Sequence, residues 1–235
     1  MTAMPAAPLV LLPGLICDAR IFAGQLAAFP AAIAMAYDDQ ATDLAAMAAR
    51  VLDRAPPRFA LLGHSMGGRV ALEIVRAAPH RVERLALVST GVHEIRPGEA
   101  AKRHALRDLG REQGMAALVA AWLPPMIAAE NARNEALVAS LSQMCIDAGL
   151  ARYEAQVAAL LSRPEVESLL PRITCPTLVA TGSLDVWSPP AQHQDIAAAV
   201  PNATLHSIAG AGHMLPAENP QAMNDAIRAW LSYPL

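Results

Sequence analysis

The residues best suited to covalent chemistry stand in one short run, Gly63-His64-Ser65-Met66-Gly67. A serine hydroxyl is a weak nucleophile at neutral pH, so it needs a base to take its proton and an acid to orient that base. Both follow downstream in the order Ser, Asp, His: Asp185 in Gly182-Ser183-Leu184-Asp185, and His213 in Gly210-Ala211-Gly212-His213. That set is suited to acyl transfer through a covalent serine intermediate. The glycines matter as much as the serine, because a nucleophile raised on a strained strand-to-helix turn needs room for the backbone to bend. Two rival readings of the same glycines fail. Gly63 to Gly68 has phosphate-loop spacing, but Arg69-Val70 stands where Lys-Ser/Thr is required, and His64 blocks a dinucleotide-binding G-x-G-x-x-G.

The elements that must position these groups are legible as apolar runs of strand length at 8–12, 33–37, 58–62, 85–89, 177–181 and 204–208, each bounded by Gly, Pro, Asp or Ser. Alanine-rich helical segments separate them, which predicts β-α units around a parallel sheet covered on both faces. Ser65, Asp185 and His213 each follow one of these strands, at the carboxyl edge where open α/β sheets place their sites. Between 85–89 and 177–181 the alternation stops. Residues 92–172 carry only helical periodicity, at 100–110, 115–122, 131–148 and 151–161, with Pro124-Pro125 and Gly149 as punctuation. The expected organisation is one α/β core built from 1–91 and 173–235, with 92–172 inserted as a helical lid.

Composition bounds the function. The 235 residues are 54% hydrophobic and 17% charged, enough to bury one continuous core. The net charge is −3, from 18 basic and 21 acidic residues, with no long run of one sign, so a nucleic-acid footprint is absent and a small-molecule partner is expected. Cys17, Cys145 and Cys175 are odd in number and widely spaced, which fits neither a disulfide framework nor a metal site and points to a reducing compartment. The apolar run at 9–12 is too short to span a membrane and is broken by Pro13-Gly14; with no signal-peptide flank, a cytoplasmic location is expected.

Taken together, several segments resemble the α/β-hydrolase family, in its compact serine-hydrolase branch with a helical lid. Gly63-His64-Ser65-Met66-Gly67-Gly68 is similar to that branch's nucleophile elbow, and Ala78-Pro79-His80-Arg81-Val82 to its next helix-to-strand junction. Residues 182–189 resemble the acid loop, and Gly212-His213 with Glu218-Asn219-Pro220 the histidine loop. The resemblance implies Ser65 as nucleophile, Asp185 as acid and His213 as base, with no metal and no cofactor. It also implies an oxyanion hole from the backbone N–H groups of Met66 and Leu15. Most members carry His-Gly in the first loop where this chain has Pro13-Gly14, which leaves Ile16 as an alternative to Leu15. The family's first antiparallel strands are expected to be reduced or absent. The activity implied is hydrolysis of an ester-like bond, carboxylester or thioester, in a small to medium apolar substrate. A lyase, a cofactor-free perhydrolase and a non-catalytic receptor on the same scaffold remain as alternatives.

Other candidate residues have plainer readings. Asp195, the competing acid, falls in the helical stretch 191–200 and is expected to face solvent. His64 is expected to support the turn, and His93, His104, His193 and His206 to be structural or solvated. Cys17 reads as a small packed hydrophobe. Trp122, Met126 and Trp187 are candidates for an apolar pocket wall. Arg96, Lys102, Arg103, Arg107 and Arg111 read as a solvated helix face, with binding of an acidic acyl carrier or a substrate carboxylate as the alternative.

Overall fold

Strands β1 (Leu9–Leu12), β3 (Phe59–His64) and β5 (Thr177–Gly182) are buried along their whole length, and β4 (Val82–Val88) along most of it. Their side chains are almost all apolar because helices cover both faces and leave no polar side to the sheet. The short β2 (Ile33–Ala34) and β6 (Ala203–Ile208) are partly exposed, as edge strands are. These details come from a computed structural model that describes residues 7–37 and 40–234. The six strands run in the order β2-β1-β3-β4-β5-β6, and every pairing among the described residues is parallel.

The core helices are α1 (Ala23–Ala28), α2 (Leu44–Arg54), α3 (Met66–Ala77), and then, after the long helical insertion, α7 (Pro190–Ala199), α8 (Leu215–Glu218) and α9 (Pro220–Ser232). The insertion between β4 and β5 holds α4 (Glu99–Gln113), α5 (Met115–Trp122) and α6 (Glu135–Leu161), the last broken at Gly149, whose φ is 76°. Among the described residues no helix is long and apolar enough to cross a membrane.

Several boundaries differ from the sequence expectation: β4 begins at 82 and not 85, α4 runs to 113 and not 110, and two differences are more local in kind. The strand expected at 33–37 pairs over Ile33–Ala34 only. The helix expected from 131 starts at Glu135, because Asn134 caps it, its side chain accepting from the Leu137 N–H.

The register fixes where the chemistry falls. Leu12 pairs with Gly63, Gly63 with Leu87, Val88 with Ala180 and Gly182 with Ile208. The loops after β1, β3, β5 and β6 therefore leave the sheet at one edge.

Candidate active site

Ser65 sits between β3 and α3 with φ 55° and ψ −118°, a conformation that costs a non-glycine residue on the order of 1–3 kcal/mol. The turn is tight enough that a Cβ on Gly63 would collide with the Gly67 carbonyl, and one on Gly67 with the Leu12 carbonyl. Backbone bonds lock it: the Ser65 N–H donates to the Val88 carbonyl at 2.9 Å, and the Thr90 hydroxyl donates to the Ser65 carbonyl at 2.7 Å.

The structure brings the three sequence-predicted residues into one line. Ser65 Oγ lies 2.8 Å from His213 Nε2, and His213 Nδ1 lies 2.9 Å from Asp185 Oδ2. The other oxygen, Asp185 Oδ1, accepts the N–H groups of Trp187 at 2.9 Å and Ser188 at 2.7 Å. Asp185 is 2% exposed and His213 3%. Burial pushes the Asp185 carboxyl upward, but the His213 ring and these donors outweigh it and hold the group below the ordinary aspartate value. Asp195 is exposed on α7.

His213 is fixed from behind by contacts that the sequence does not foretell. Its N–H donates to the Met126 carbonyl at 2.8 Å, and its own carbonyl lies 2.8 Å from His64 Nε2. His64 thus does more than support the turn. Its ring lies 5.5 Å from the His213 ring, and burial, with His213 adding to it, pushes its pKa down to about 3, so it is neutral. Glu218 binds the Gly212 and Met214 N–H groups at 3.0 Å each and also takes the Ala128 N–H at 2.9 Å and Asn131 Nδ2 at 2.8 Å. His193 is buried and accepts the Thr90 N–H.

The loop after β1 carries the candidate oxyanion donors. Tyr37 Oη donates to the Pro13 carbonyl at 2.7 Å, and Cys17 N–H to the Gly14 carbonyl at 3.1 Å. The Ile16 N–H is engaged, donating to Gln156 Oε1 at 2.7 Å, whereas the Leu15 N–H has no hydrogen-bond partner among the described residues. Met66 opens α3, where helix geometry leaves the first N–H groups unused.

Leu15, Ser65, Met66 and His213 open into a cavity of about 310 Å³. Trp122, Met126 and Trp187 line it as expected, joined by Leu160 and Val186. Cys17 is buried and is not among its lining residues. The solvated-face reading of the basic residues divides. Arg107 and Arg111 pair with acids on the surface, but Arg96, Lys102 and Arg103 line the cavity, together with Arg69 and Arg163.

Residues 9–226 match the Alpha/beta hydrolase family. The chain belongs to that family. It is 32% identical over 190 residues to a putative carbamate hydrolase, RutD, of Variovorax paradoxus, covering 78% of this chain and 69% of that one. It is 31% identical over 179 residues to the polyketide synthase ThaQ of Burkholderia thailandensis, covering 73% of this chain but only 8% of that protein. A thermophilic esterase from Thermogutta terrifontis, with malate bound, superposes with a TM-score of 0.87 at 25% identity, over 98% of this chain and 95% of the esterase. This family member thus shares its fold over nearly its full length with an esterase.

Proposed function

We propose that the protein hydrolyses an ester-like bond, carboxylester or thioester, of a small-molecule substrate through an acyl-enzyme on Ser65. His213 Nε2 takes the Ser65 proton as Oγ bonds to the carbonyl carbon. The resulting oxyanion is held by the N–H groups of Leu15 and Met66, and His213 returns the proton to the departing oxygen or sulfur. Water, deprotonated by His213, then attacks the acyl-serine and releases the acid. Asp185 holds the His213 tautomer and stabilises the imidazolium. No metal or cofactor enters any step, and no nucleic acid or membrane is required.

The observation that carries this reading is the Ser65–His213–Asp185 line at 2.8 and 2.9 Å, with the serine at positive φ on the floor of a cavity. In the same reading 92–172 acts as the lid over the core of 1–91 and 173–235, supplying Trp122 and Met126 to the pocket without supplying a reacting group. The test is labelling by a fluorophosphonate, followed by turnover of a panel of p-nitrophenyl esters and acyl thioesters. Ser65→Ala should abolish labelling and cut turnover by about 10³-fold or more in a folded protein. Undiminished turnover would overturn the assignment.

A further inference from the structure

The charges around the cavity do not balance. Some arginines away from the cavity have carboxylates of their own, Arg20 with Asp18 and Asp147, Arg58 with Glu83 and Arg228 with Asp225, while others, such as Arg81 and Arg84, donate to main-chain carbonyls. Around the cavity Arg69, Arg96, Lys102, Arg103 and Arg163 face one lining carboxylate, Glu99. Glu99 binds Arg103 at 3.0 Å and Arg163 at 2.7 Å. Arg69, Arg96 and Lys102 have no ion pair among the described residues. Five cations against one anion leave a formal +4 around a single cavity, in a chain whose total is −3.

Arg69 makes the imbalance costly. It is 3% exposed and lies one helical turn beyond Ser65 on α3. Its guanidinium donates only to main-chain carbonyls, at Val92 (2.7 Å), Pro164 (2.8 Å) and Gly91 (3.3 Å), and its buried Nε finds no partner. Burial first, and then the neighbouring Arg163, lower its pKa to about 10 against the opposing pull of Glu73, Glu165 and Glu99, so it remains charged at neutral pH. A buried cation with no carboxylate in direct contact is held less favourably than a paired one, and a further anion in the cavity would stabilise it.

We propose that the substrate supplies that anion: the molecule cleaved at Ser65 carries a carboxylate, which binds in the same cavity against Lys102, Arg103 and Arg96, with Arg69 and Arg163 behind them. The apolar residues Trp122, Met126 and Leu160 accommodate the short chain between that carboxylate and the scissile carbonyl. The substrate class is therefore an acidic ester, with a negative charge at one end and the bond to be cut at the other. The inference rests on the reading of Ser65 as nucleophile.

Two esters of matched length test it, p-nitrophenyl pentanoate and mono-p-nitrophenyl glutarate, which differ by a carboxylate in place of a methyl group at the chain end. The glutarate ester should be preferred in kcat/KM by about tenfold or more, the scale of one charge-assisted hydrogen bond. The preference should shrink as salt rises. Lys102→Gln and Arg96→Gln, both at exposed positions, and Arg103→Gln should each reduce the ratio, chiefly through KM for the acidic ester. Arg107→Gln, on the same helix but outside the cavity, should leave the ratio as it is. Glutarate binding by Ser65→Ala, followed by calorimetry, reads the subsite without chemistry. Failure of fluorophosphonate labelling would remove the serine reading and leave this measurement standing. Equal or better turnover of the neutral ester, or glutarate binding that is absent or unchanged by Lys102→Gln and Arg103→Gln, would overturn the carboxylate subsite.

Discussion

The backbone N–H of Ile16 donates to Gln156 Oε1 at 2.7 Å, a buried bond that ties the loop after β1 to α6 across 140 positions of sequence. Ile16 is β-branched and sits at φ 49°, a region such residues rarely enter, so this bond helps to hold a strained backbone next to Leu15.

Gln156→Leu should therefore lower stability by about 1–3 kcal/mol, the cost of a buried N–H left unpaired. Ester turnover should fall as well, through kcat more than KM, if the loop relaxes around Leu15. Gln156→Glu keeps an acceptor and should recover much of kcat. Urea unfolding and steady-state kinetics on the three proteins read the two effects separately, and equal kcat in the Leu variant would show that the bond serves folding alone.

The assignment of Asp185 over Asp195 is directly measurable. Asp185→Asn leaves the ring of His213 without its carboxylate, and by analogy with serine proteases kcat should drop by roughly 10⁴-fold. Asp195 is exposed on α7, so Asp195→Asn should change kcat little. The reverse ranking in folded proteins would overturn the acid assignment.

The pocket walls separate specificity from stability. Trp187 is 45% exposed, so Trp187→Ala should weaken reaction with apolar esters at little cost in melting temperature. Met126 is 1% exposed, and Met126→Ala should shift the preferred acyl chain toward greater length while costing about 2–5 kcal/mol from the cavity it opens. Rates across a chain-length series, with melting curves, check both.

His64 makes stability depend on acid. Its pKa of about 3 in the folded chain lies below the ordinary 6.5, so between those values the unfolded chain takes up a proton that the folded one refuses. Stability from this group is complete above pH 6.5 and declines as pH falls toward 3, by up to about 1.4 kcal/mol per pH unit. His64→Asn should be less stable at pH 8, having lost the His213 carbonyl, yet show a shallower decline between pH 6 and pH 4. Urea unfolding across that range measures the slope, and parallel slopes would refute the assignment.

Ser65 was legible because its requirements are local: two glycines, a strand before and a helix after. Asp185 and His213 were legible because strands end just before them. The Gln156 bond to Ile16 and the His64 contact with the His213 carbonyl were not, since each joins groups brought near only by the tertiary fold; Glu218 stands within the histidine-loop run, but its reach to Ala128 and Asn131 is tertiary in the same way. The basic residues of α4 illustrate the same boundary. Helical periodicity places Lys102, Arg103 and Arg107 on a helix, but which of its sides closes a cavity depends on the packing of α4 against α5 and α6.

The two backbone N–H groups of His213 and Met214 both donate to the carbonyl of Met126, at 2.8 and 3.2 Å, and Glu218 links the same histidine loop to Ala128 and Asn131. Residues 126–131 are thus spliced into the histidine loop although they belong to the insertion by sequence. The insertion is not an interchangeable module. A chimera that replaces 92–172 with the corresponding segment of a relative must set a main-chain carbonyl where that of Met126 stands, or the His213 N–H loses its acceptor and the ring its fixed position. A graft whose seams leave 124–134 native keeps that carbonyl, and the protein can then be given new substrate preferences through α4, α5 and α6 alone.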